Sequence, residues 1–124
     1  MPTDTLDRPG PRTAARSATP GLAAVVTYVA AHAGEPLTPQ ELARVGCMSV
    51  RTLHATFQQA LGETPMSHLR RVRLDRVRAE LLQGDPARVR VTDVATAWGF
   101  GHQSRFAQQY RDRFGELPSR TLRS

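Results

Sequence analysis

The chain has 124 residues, a formal net charge of +6, a hydrophobic share of 40% and a single cysteine. That length allows one domain with a packed core but not two large ones, and no apolar run approaches the ~20 residues of a membrane helix. Cys47 alone excludes an internal disulfide and a cysteine-based zinc cluster. Met1 to Gly10 lacks the basic-then-apolar order of a secretion signal, so the expected location is the cytoplasm.

Residues 1–19, rich in Pro, Thr, Ala, Arg and Gly, have no apolar period and read as a disordered tail or linker. Order is expected over 20–124. Leu22, Val25, Val26, Val29 and Ala30 recur at helical spacing and predict a first helix, ended by Gly34 and Pro36. Thr38-Pro39-Gln40-Glu41 is a strong start for the next: Thr38 can cap, Pro39 fits the first turn, and Glu41 can close a capping box. Leu42, Ala43 and Val45 face inward there. After the turn Gly46-Cys47-Met48, Ser49 caps a helix with Leu53, Phe57 and Leu61 on its apolar stripe. Thr64-Pro65 starts a long helix over about 65–83, with Leu69, Val72, Leu74, Val77, Leu81 and Leu82 as its apolar positions. At ~1.5 Å per residue it spans somewhat under 30 Å. Gly84-Asp85-Pro86 breaks it.

The remainder repeats the first half. Glu41-Leu42-Ala43 answers to Asp93-Val94-Ala95 at an offset of 52. Beyond the turn Trp98-Gly99-Phe100-Gly101 the offset becomes 53, pairing Leu53 with Phe106, Phe57 with Tyr110, Gly62-Glu63 with Gly115-Glu116, Pro65 with Pro118 and Leu69-Arg70 with Leu122-Arg123. Two copies of one supersecondary unit are implied: short helix, tight turn, longer helix, over about 38–61 and 90–114, which is the helix-turn-helix pattern.

In such a pair the second helix can enter the major groove while the first crosses the backbone. Its outer face must then carry base-reading side chains. Copy one offers Arg51, Thr52, His54 and Ala55; copy two offers Gln103, Ser104, Arg105, Ala107 and Gln108. Arg suits guanine, Gln suits adenine, and small side chains fit a thymine methyl. Thr38, Ser49, Arg70, His102 and Arg111 are expected at phosphates or helix caps. All 17 basic residues are arginine, and the charge is uneven: residues 20–65 hold two Arg against three Glu, 66–83 five Arg against two acids, and 84–124 seven Arg against four acids. A polyanion partner fits this balance, as does a solvated basic face.

Leu42-Ala43, Ser49, Leu53 and Phe57, then Pro65, Leu69, Arg73-Leu74 and Leu81-Leu82, then Val94-Ala95, Gly99-Phe100, Phe106, Tyr110, Phe114-Gly115 and Pro118 resemble the C-terminal DNA-binding domain of AraC/XylS-type transcription regulators. The resemblance covers 20–124. It implies an all-α, seven-helix domain of two homeodomain-like helix-turn-helix subdomains joined by the long linker helix, docking two recognition helices on successive major-groove segments of double-stranded promoter DNA. No cofactor or metal is implied, and no enzymatic activity. RNA polymerase is a further partner that activation would need, and an effector-sensing domain is not present in this chain. Arg73 resembles a structural Arg of the family, and Arg70, Arg71, Arg76 and Arg78 are expected mostly on a solvated face. The chain departs from the family at Cys47, where Gly is usual and the turn is expected to differ in shape. It departs also at Ala55, where a basic residue is common, at Arg90, in a capping position, and at His102, a weaker cap than Ser49. Cys47 is expected to be small and half-buried. Two rival readings exist: an alkylation-repair chemistry, which needs a cysteine cluster, and a protein-interaction module.

Overall fold

The computed structural model describes residues 20–124; the tail-or-linker reading of 1–19 lies outside them. Among the described residues the secondary structure is entirely helical, with α1 (Pro20–His32), α2 (Pro39–Val45), α3 (Val50–Leu61), α4 (Pro65–Gln83), α5 (Val91–Ala97), α6 (Gln103–Phe114) and α7 (Pro118–Arg123). They fall into two compact units. One comprises 20–32 and 37–69, the other 33–36 and 70–124, so α4 begins in the first and continues into the second.

In the first unit α1 packs on α2 and α3. Leu22, Val25 and Val29 of α1, Leu42 and Ala43 of α2, and Leu53 and Phe57 of α3 are buried. Each large apolar side chain withdrawn this fully contributes about 1.5–3 kcal/mol of transfer free energy. The approach of α1 to the turn after α2 needs a glycine: a Cβ on Gly21 would stand 2.6 Å from the Gly46 carbonyl oxygen. In the second unit α5, α6 and α7 pack on one another. Its core gathers Leu74, Val77, Leu81, Val94, Ala95, Phe106, Tyr110 and Leu122.

Three residues of the expected apolar stripes lie outside, the exposed Ala30 of α1 among them. Leu61 is 43% and Leu82 50% exposed. Leu61 is the last residue of α3, and Gly62 reverses the chain before another turn can cover it. Leu82 follows the buried Leu81 and is turned about 100° from it around the helix, off the buried stripe.

The hinge of each unit is a left-handed reversal after its short helix. Cys47 N–H donates to Arg44 O and Met48 N–H to Ala43 O; in the second copy Gly99 N–H donates to Thr96 O and Phe100 N–H to Ala95 O. This crossed pair of bonds is the Schellman arrangement, which satisfies the last carbonyls of a helix and requires a left-handed residue. That residue is Gly99 (φ 93°) in one copy and Cys47 (φ 56°) in the other. The expectation of a differently shaped first turn is therefore corrected: the hydrogen bonding is the same, and a non-glycine adopts the conformation. Cys47 is also exposed rather than half-buried, because a left-handed reversal pushes its side chain outward.

The turns differ in what they tolerate. Cys47→Gly should raise stability by about 1 kcal/mol by removing left-handed strain, read as a higher denaturant midpoint by circular dichroism. Gly99→Ala should lower it by about 2 kcal/mol, since strain adds to an approach of 2.9 Å to the Arg73 guanidinium. The chain's single tryptophan, Trp98, reports the second variant by fluorescence. An unchanged or lower midpoint for Cys47→Gly would refute the strain at that turn.

Candidate nucleic-acid interface

Three of the four helices in the two motifs, α2, α3 and α6, have a side-chain cap at the N-terminus. Thr38 Oγ1 accepts from Glu41 N–H at 3.1 Å, and Ser49 Oγ accepts from Thr52 N–H at 3.1 Å while donating to Thr52 Oγ1 at 3.0 Å. The reciprocal half of the capping box is not made: Glu41 Oε2 accepts instead from the Tyr28 hydroxyl at 2.6 Å, which ties α2 to α1. In the second copy His102 Nδ1 accepts from Arg105 N–H at 3.3 Å, a longer cap made by an imidazole. Arg90 precedes α5 with no side-chain cap.

Sequence-proposed residues gather in two patches, one per unit. On α3, Arg51, Thr52, His54 and Ala55 are all exposed. Residues three and four apart share a helix face, so Arg51, His54 and Ala55 line one strip. His54 Nδ1 lies 3.0 Å from its own helix's Val50 O. On α6, Ser104, Arg105, Gln108 and Arg111 are exposed and Gln103 is half-buried. Gln103 Nε2 donates to Phe100 O at 3.2 Å, which binds its amide to the turn. Gln108 Nε2 donates to Asp112 Oδ1 at 2.9 Å. Arg111, with Arg120 and Arg123 of α7, lines an open cleft of about 640 Å³. Arg70 is exposed on α4. Among the described residues no three His, Cys, Asp or Glu side chains gather as a metal site requires.

Polar contacts hold α6 in place. Arg113 of α6 grips Asp75 of α4 with both ends of its fork, Nε to Oδ1 at 2.8 Å and Nη2 to Oδ2 at 3.0 Å, the geometry that makes Arg–carboxylate pairs directional. Beneath α6 the buried Tyr110 hydroxyl donates to Thr121 Oγ1 at 2.7 Å, and Thr121 donates onward to Glu116. The first copy answers at the same positions with different chemistry: His68 Nδ1 meets Glu63 Oε2 at 3.0 Å, and the His68 ring sits edge-on to Phe57. The Glu63–Glu116 match was legible in the repeat. The partner at 68 and 121 was not, because His and Thr share no type. Arg73 is structural, as the resemblance implies: Nε donates to Ala33 O at 2.7 Å and Nη2 to Glu35 O at 2.6 Å. On the expected solvated face of α4, Arg76 is half-buried with its guanidinium over Trp98, and Arg78 is exposed as expected while also lying over Phe114. The alternation of Arg with apolar residues gave no sign that aromatic rings from elsewhere in the second unit would meet them.

A family model described as a helix-turn-helix domain matches residues 42–124. The chain is 44% identical over 110 residues to the Probable thc operon regulatory protein of Rhodococcus erythropolis, covering 88% of this chain and 33% of that one. It superposes on the crystal structure of a probable AraC family transcriptional regulator from Rhodopseudomonas palustris CGA009 with a TM-score of 0.77 and 36% identity, over 83% of this chain and 94% of that one. It is also similar to the DNA-binding domain of AdpA in complex with a target DNA, with a TM-score of 0.72 and 26% identity over 83% and 90% of the two chains. The fold and the paired turns define a tandem helix-turn-helix protein. The chain belongs to the AraC/XylS family, and it spans about a third of the length of the first curated relatives it matches. No described helix is long and apolar enough to cross a membrane.

Burial raises the Tyr110 hydroxyl above its ordinary value of 10.0, against lowering by its bond to Thr121 and by Arg78. The folded chain therefore holds this proton more tightly than the unfolded one. The resulting stability is fully present below pH 10 and is lost as pH rises through the folded value. Tyr110→Phe should flatten the alkaline decline in the denaturation midpoint and cost about 1 kcal/mol at neutral pH, where Thr121 loses its donor. An alkaline limb identical in both proteins would show that Tyr110 does not carry it.

Proposed function

We propose that this chain is a sequence-specific DNA-binding module of a transcription regulator, docking α3 and α6 in successive major-groove segments of promoter DNA. The observation that carries the reading is the pair of side-chain-capped recognition helices, each with an arginine on its exposed face. Arg51 and Arg105 have no ion pair or hydrogen bond to their guanidinia among the described residues, so their donors are open to guanine O6 and N7. Helix α3 carries no acid, and α6 carries only Asp112. The similarity to the AdpA domain, solved with a target DNA, supports the same partner.

In this reading Arg51, Thr52, His54 and Ala55 meet bases from the first unit, and Gln103, Ser104, Arg105 and Gln108 from the second. Thr38, Ser49, Arg70, His102 and Arg111 act at phosphates or as caps. Residues 20–124 form the domain, with motifs over about 38–61 and 90–114 flanking the linker helix. Such a module works in the cytoplasm, catalyses nothing, and touches RNA polymerase when it activates.

Selection of bound duplexes from random DNA should enrich one motif, and affinity for it should fall steeply with salt, with a log–log slope of about −0.9 per neutralised phosphate. Arg105→Ala should weaken discrimination at one base pair by about 1–3 kcal/mol with the fold intact. Equal weakening on every sequence would make Arg105 a phosphate clamp, and salt-independent binding would favour a protein partner.

A further inference from the structure

Two groove-facing side chains have their hydrogen-bonding polarity fixed by their own helices. Val50 O can only accept, so the His54 atom 3.0 Å from it, Nδ1, carries the proton. A neutral imidazole then has an acceptor and no donor at Nε2. The Asp112 carboxylate likewise accepts only, so the Gln108 atom 2.9 Å from it is the amide nitrogen. Turning that amide over would set two oxygens against each other, so Oε1 stays on the side away from Asp112. Both residues are exposed. Helical side chains lean toward the helix N-terminus, the end that enters the groove.

We infer that each recognition helix offers the major groove a fixed hydrogen-bond acceptor, His54 Nε2 on α3 and Gln108 Oε1 on α6, and so selects a base with an exocyclic amino group. The inference rests on the DNA-binding reading above. In the major groove only adenine N6 and cytosine N4 supply amino donors, whereas guanine O6 and thymine O4 are acceptors and would face an acceptor. Gln108 keeps one free N–H besides, which suits adenine N7 and makes adenine its preferred base. Asp112 is a positioning residue: it meets no base but holds the reader in one orientation. Gln103, whose amide is bound to the turn, has no such freedom of reach. The exposed arginines supply donors, so each helix pairs a guanine-seeking donor with a locked acceptor.

The test is selection from random duplexes with the full chain and its His54→Ala, Gln108→Ala and Asp112→Ala variants. The position that His54→Ala relaxes should carry adenine or cytosine in the parent motif. Gln108→Ala and Asp112→Ala should relax one common position, occupied by adenine, by about tenfold. Asp112→Ala should at the same time bind unrelated DNA more tightly, because a carboxylate near the phosphates is gone. Guanine or thymine at either relaxed position overturns the inference and leaves the DNA-binding reading standing. So does an Asp112→Ala motif identical to the parent's. Failure of the parent chain to enrich any motif overturns both.

Discussion

The direction of each recognition helix depends on a single backbone residue with positive φ. At Cys47 and Gly99 the chain reverses left-handedly, and the crossed hydrogen bonds that accompany the reversal satisfy the carbonyls at the end of α2 and α5. With that angle set, Leu53 and Phe57 on α3, or Phe106 and Tyr110 on α6, turn into their core, and the opposite face is left to solvent. Ser49 and His102 then cap the helix that follows. In the second unit the Arg73 guanidinium lies where a side chain on Gly99 would stand, and this arginine fastens residues 33 and 35.

The exposed faces so produced are not sets of freely rotating side chains. Thr52 is bonded to the Ser49 cap, His54 to Val50, Gln103 to Phe100 and Gln108 to Asp112. Each bond is local, within four residues, so in the proposed base-reading role part of the conformational entropy lost on binding is spent before DNA arrives. A carbonyl or carboxylate partner also dictates which atom of the reader points away. This is how a helix can hold a preference between amino and keto bases with side chains that could otherwise turn over.

The two copies keep their geometry and exchange their chemistry. Position 57 or 110 is a buried aromatic ring, and the residue at 68 or 121 is a buried polar group facing a glutamate at 63 or 116. Phe57 offers no hydroxyl, so His68 packs its ring edge-on and engages the acid. Tyr110 offers one, and a threonine relays it to Glu116. Buried polar groups must be satisfied wherever they sit, and the repeat meets that demand twice with different side chains.

The helix number was what the family resemblance implied, whereas the caps at Thr38, Ser49 and Thr64, the internal repeat and the inward stripe through Leu53, Phe57, Phe106 and Tyr110 were legible in the sequence itself. These follow from periodicity and local hydrogen bonding, which act over three to five residues. The outward positions of the candidate readers were legible for the same reason, since a helix with its apolar face assigned has its polar face assigned too. What only the tertiary structure decided is what distant residues meet: Arg113 with Asp75, Arg76 and Arg78 over Trp98 and Phe114, Glu41 with Tyr28, and Thr121 with Tyr110 and Glu116. Such pairs depend on the packing of whole helices, so no local pattern announces them. The turn at Cys47 joins both cases: its place was visible in the chain, but that a cysteine would take a left-handed backbone was settled by the packing of the helices on either side.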